Sequence, residues 1–131
     1  MSDQSHSSGT ADAFVWSPDA MIARLGGDEE LARQLVSLFL DECPRMLEQV
    51  RSSVADGTPD LIRRAAHAFK GSVSNFIPDG PTATAFALET IGREERVVDA
   101  PATLARLERE VDMLLVQLRA FDAASASNSA R

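Results

Sequence analysis

A histidine, a lysine and a glycine stand together in the run His67-Ala68-Phe69-Lys70-Gly71, and these residue types at this spacing can do chemistry. A neutral imidazole nitrogen is a nucleophile near neutral pH. Residues three and four apart are neighbours on a helix, so the Lys70 ammonium lies beside the ring. Gly71 withholds a side chain that would otherwise crowd it. Lys70 is the only lysine, against twelve arginines and two histidines, so its position looks selected. With about 100° per residue, Arg63, Arg64, Lys70, Gly71 and Ser74 fall within roughly 60° of His67. The opposite face collects Leu61, Ile62, Ala65, Phe69, Val73 and Phe76 as the expected core stripe. His67 is therefore expected to face solvent or a partner. The flanking cations would suit a phosphoryl group, whose charge needs neutralising while it moves. Periodicity alone leaves a second reading open, an exposed histidine with no task.

Other chemistries find less support. A metal site needs several His, Cys or carboxylate ligands at coordinating spacing, and the second histidine, His6, lies in a polar terminal stretch. Cys43 has no second histidine to activate it and reads as a small core residue. Gly26-Gly27 has no strand before it and no Lys-Ser/Thr after it, so it reads as a helix stop and not as a phosphate loop. No metal and no resident cofactor are expected.

The 131 residues, 44% of them hydrophobic, suffice for one core. A net charge of −7 argues against nucleic acid or an anionic membrane surface as partner. Apolar runs stay far below the roughly 20 residues that cross a bilayer. A single cysteine and a polar start predict the cytoplasm. Residues 1–16 and 123–131, rich in Ser, Ala, Gly and Asp, are expected to be disordered tails around a domain at 17–122.

Within that domain the period is helical throughout. Ser17-Pro18 starts a short helix that Gly26-Gly27 closes. Asp28 caps a long second helix to about Ala55, with an apolar stripe of Leu31, Leu35, Leu38, Phe39, Met46, Leu47, Val50 and Val54 and a bend expected near Leu40 from Pro44. A third helix runs from about Asp60 to Phe76, and a fourth begins near Thr82. The fifth, from about Pro101, carries Leu104, Leu107, Val111, Leu114, Leu115 and Leu118. The expected fold is all-α: an antiparallel four-helix bundle with the short first helix as a cap.

The run Arg64-Ala65-Ala66-His67-Ala68-Phe69-Lys70-Gly71-Ser72 resembles the signature of histidine-containing phosphotransfer (HPt) domains. Leu25-Gly26-Gly27-Asp28-Glu29-Glu30-Leu31, Phe39-Leu40-Asp41-Glu42, Asn75-Phe76, Leu88-Glu89 and Gly92-Arg93 extend the resemblance in register from about Ser17 to Phe121. It implies a phosphorelay shuttle without kinase activity of its own, and a monomer is the default expectation. The partners would be receiver domains of response regulators or hybrid histidine kinases, which supply the aspartates and Mg²⁺. It implies that His67 carries the phosphoryl group on Nε2 and that Lys70 orients or neutralises its oxygens. Gly71, Arg64, Ser74, Glu89 and Arg93 are the residues expected to meet the phosphoryl group or the receiver, with Glu89 placed to bond the other ring nitrogen. Met21 and Leu25 occupy positions where the family exposes an apolar docking patch. Two features depart from the pattern: Ile77-Pro78 stands where the family has a glycine, and Pro78 and Pro81 displace the usual start of the fourth helix. The rival reading is a helical interaction module without phosphotransfer.

Overall fold

The computed structural model describes residues 14–129, with side-chain surroundings through residue 125. What is expected of residues 1–13 and 130–131, His6 included, lies outside the described residues. The chain forms α1 (Pro18–Arg24), α2 (Glu29–Asp56), α3 (Pro59–Val73), α4 (Pro81–Arg93), a 3-10 turn at Val97–Asp99 and α5 (Ala100–Ser129). Helices α2 to α5 close a ring of neighbours, α2 on α3, α3 on α4, α4 on α5 and α5 back on α2, while α1 packs on α2. This is the expected capped four-helix bundle. No described helix is long and apolar enough to cross a membrane.

Local chemistry sets the helix ends. The Ser17 hydroxyl accepts from the Ala20 amide at 3.0 Å and the Asp28 carboxylate from the Leu31 amide at 2.9 Å, each satisfying an amide that has no partner within its helix. Gly57 ends α2 in the left-handed conformation, φ 74°, a role glycine fills without strain. Helix α2 continues through Pro44. Helix α4 starts at Pro81 and not at Thr82, because proline at the first helical position lacks only an amide that would have had no partner anyway.

The core runs through Val36, Phe39, Cys43, Leu47 and Val50 of α2, Ile62, Ala66, Phe69 and Val73 of α3, Leu88 and Ile91 of α4, and Leu107, Val111, Leu114 and Leu118 of α5. Several expected core residues are displaced. Leu31, Leu38 and Leu61 are exposed, whereas Ala32, Cys43 and Ala66 hold the seams. Small residues let the backbones approach, and the bulkier leucines then fall on the flanks. Met21 is buried and takes no part in an exposed patch, while Leu25 is half-buried.

Residues on either side of 17–122 also carry structure among the described residues. Trp16 is buried edge-on against Phe121, centroids 5.4 Å apart, and its backbone amide donates to Gln117 Oε1 at 2.7 Å. The indole needs a wall, and the last turns of α5 supply it. The helix continues to Ser129.

Gly92 sets the spacing of α3 and α4. A Cβ there would stand 2.6 Å from Arg63 N and 2.7 Å from Pro59 O, backbone atoms that cannot rotate away. Glycine to alanine inside a helix ordinarily gains about 1 kcal/mol. Here overpacking of about 1–3 kcal/mol opposes it, so Gly92→Ala should lower the thermal midpoint; an unchanged or raised midpoint would contradict this close approach.

Candidate functional site

Helix α3 turns Ile62, Ala66, Phe69 and Val73 into the core. His67 is left outward, its side chain 65% exposed. Helix α4 buries Ala85, Leu88 and Ile91, and this phase brings Glu89 to the α3 seam. Its side chain is 8% exposed, with Oε2 3.0 Å from His67 Nδ1 and 3.3 Å from Arg93 Nη2. The Lys70 ammonium stands 2.8 Å from the buried Oε1, as an ion pair outside hydrogen-bond directionality. One carboxylate thus holds both the imidazole and the ammonium.

Burial is the largest influence on the Glu89 carboxyl and pushes its pKa up, but the Lys70 ammonium and the His67 ring outweigh it and leave the pKa lowered. Ionised Glu89 can only accept, so the proton on the His67 ring belongs on Nδ1. Nε2 then keeps its lone pair on the outward side of the ring. The stabilising effect of the Glu89 charge is complete above about pH 4.3, where an unfolded glutamate titrates, and is lost as pH falls through the lowered folded-state value. In Lys70→Ala, with burial less opposed, the Glu89 titration followed by carboxyl NMR should move upward. A midpoint unmoved from wild type would contradict the pairing.

The remaining expected residues fall into two groups. Gly71 is exposed, one turn beyond His67, and a Cβ there would meet nothing within 4 Å; Arg93 joins the site through Glu89. Arg64 and Ser74 do not reach the imidazole by any recorded contact. Arg64 Nε pairs with Asp60 Oδ2 at 3.0 Å, and Arg63 Nη2 with Asp60 Oδ1 at 2.7 Å, so Asp60 answers part of the expected cationic strip. Ser74 donates to the Gly71 carbonyl at 3.1 Å. Cys43 is buried in the core and its thiol is pushed up to about 11, mainly by burial, which keeps it protonated and inert. Among the described residues no cluster of three or more His, Cys, Asp or Glu could hold a metal ion.

Three contributors escaped the sequence reading. Phe86 places its ring 5.0 Å from Lys70 Nζ. Arg24 of α1 reaches the carbonyls of Asn75 and Phe76 at 3.4 and 3.2 Å, tying down the chain where α3 ends. A groove of about 230 Å³ opens between α2 and α3, lined by Leu35, Leu38, Phe39, Met46, Ser72, Asn75 and Phe76, with Glu42 and Arg45 at its sides. An exposed aromatic one turn before Glu89 was the available signal for the first; the other two depend on elements distant in sequence.

A bundle that carries an outward imidazole, braced from the neighbouring helix by a buried carboxylate, has the form of a histidine phosphotransfer domain. The Hpt domain family model matches residues 34–120, more than half of the chain, and the chain belongs to this family, whose members act in histidine phosphotransfer. Among solved structures it is similar to the crystal structure of histidine-containing phosphotransfer protein B (HptB) from Pseudomonas aeruginosa PAO1. The two share 24% sequence identity with a TM-score of 0.72, covering 81% of this chain and 93% of that one, a likeness of fold. No curated protein matches the sequence.

Proposed function

We propose that the chain is a phosphorelay intermediate that takes a phosphoryl group onto His67 Nε2 from the aspartyl phosphate of one receiver domain and gives it to the aspartate of another. The lone pair of Nε2 attacks phosphorus, the phosphorus–oxygen bond to the aspartate breaks, and the carboxylate leaves with that electron pair. The ring becomes cationic with its proton still on Nδ1, where the Glu89 carboxylate stabilises it. Lys70 carries three N–H donors on a flexible stem and can keep its pairing with Glu89 while offering another donor to the phosphoryl oxygens. The reverse sequence discharges the group. The receiver supplies Mg²⁺ and the aspartates, and the chain needs no kinase activity.

The observation that carries this reading is the buried Glu89 holding Nδ1 and Lys70 together while Nε2 faces outward. Gly71 supports it independently. That residue needs no unusual backbone conformation and has open space at its Cβ, so the fold does not require glycine there; close approach of a partner does. The apolar groove toward α2, with Leu38 exposed beside it, offers that partner a docking shelf. Gly71→Trp should leave the melting temperature near wild type and cut transfer by roughly 100-fold, the order that follows from misplacing reacting groups by an ångström. Transfer at the wild-type rate would contradict close approach.

The test of the reading itself is to incubate the full chain with a phosphorylated receiver. Label on the chain that is lost in acid and kept in alkali supports phosphohistidine. A chain that takes no label from any receiver of its host leaves the rival reading, an interaction module.

A further inference from the structure

The geometry points to Phe86 as a positioning residue that holds the Lys70 ammonium beside His67; the inference rests on the phosphotransfer reading above. Helix α4 buries Ala85, Leu88 and Ile91, but Phe86 is 50% exposed, so the core does not account for its ring. What the ring does meet is Lys70 Nζ, 5.0 Å from its centroid. Phe86 and Glu89 are three residues apart and therefore share a face of α4, and together they hold the ammonium from two sides.

The two contacts differ in kind. Glu89 Oε1 draws the ammonium toward a buried charge at 2.8 Å. A benzene face attracts a cation through its quadrupole and offers no lone pair, so it need not use up the N–H donors. Phe86 thus steadies the stem and head of Lys70 in a place from which its remaining donors reach a phosphoryl group on Nε2. Leucine would cover the stem equally well but has no such face.

The chain holds a single lysine, so lysine-selective ¹³C and ¹⁵N labelling gives one set of side-chain signals. In wild type the proton signals on Lys70 Cε, read through the label, should be displaced by the ring current of Phe86. Phe86→Leu should return them toward free-lysine positions, and Phe86→Trp should keep them displaced. Signals that do not move in Phe86→Leu overturn the proposal. In transfer from a phosphorylated receiver, Phe86→Leu should lose about 2- to 5-fold, the range of an exposed cation–π contact. Phe86→Trp should restore the rate, and in a Lys70→Ala background Phe86→Leu should change nothing. An equal loss in both backgrounds overturns the proposal and makes Phe86 a receiver contact. A wild-type chain that takes no phosphate contradicts the relay reading and the role of Phe86 in transfer with it; the failure particular to Phe86 appears only against a wild type that transfers.

Discussion

His67→Gln is expected to take up no acid-labile, alkali-stable phosphate, while melting like wild type. The two halves of this expectation have separate causes. The side chain is 65% exposed and lies outside the core, so packing loses little when it changes. Glutamine also keeps an N–H able to meet Glu89, which prevents the buried carboxylate from being stranded without a partner. What disappears is the nucleophile, since an amide nitrogen has its lone pair delocalised into the carbonyl and the ring nitrogen has not. Uptake should therefore fall to background. Wild-type uptake by His67→Gln would move the acceptor elsewhere.

Phe69→Ala should do the reverse, costing about 3–5 kcal/mol of stability. Phe69 is fully buried two residues beyond the exposed histidine, and its ring lies 6.3 Å from that of Phe39. Removing it empties the place where α2 and α3 meet. The aromatic chain continues from Phe39 to Phe76, 4.8 Å away, so the cavity opens beside the end of the histidine helix. Against a usual domain stability of about 5–15 kcal/mol, the loss should bring a large drop in the urea midpoint. An unchanged midpoint would mean that the phase of α3 is misassigned.

These two residues also show what a sequence can disclose. His67 outward and Phe69 inward follow from one angular step per residue, and for α3 the phase was legible because large apolar residues mark its inner face. The phase of α2 was less so. Leu31 and Leu38 suggested a seam that in fact passes through Ala32, Val36 and Cys43, because size and burial part company where helices approach closely. The family resemblance placed Glu89 by the histidine; its burial, and its second grip on Lys70, depend on how deeply α4 sits against α3. That depth comes from Gly92, which periodicity treats as a blank.

The turn after α3 was legible as a departure and opaque in its effect. Ile77 stands where a glycine was expected, and it is buried in the core. Its carbonyl accepts from the Thr82 hydroxyl at 2.6 Å, and the Arg24 guanidinium holds the two carbonyls before it. An anchored side chain and three hydrogen bonds thus fix a bend that left-handed glycine geometry would otherwise make. Arg64 and Ser74 have partners close in sequence, the Asp60 carboxylate and the Gly71 carbonyl, and neither partner bears on whether they meet a receiver.

The central claim is that Glu89 fixes the ring proton on Nδ1 and so directs phosphorus to the other nitrogen. Long-range ¹H–¹⁵N correlation with ³¹P NMR on the phosphorylated chain reads this directly. The account predicts phosphorus bonded to Nε2 of His67, with the proton retained on Nδ1; phosphorus on Nδ1, or on any other residue, would contradict it.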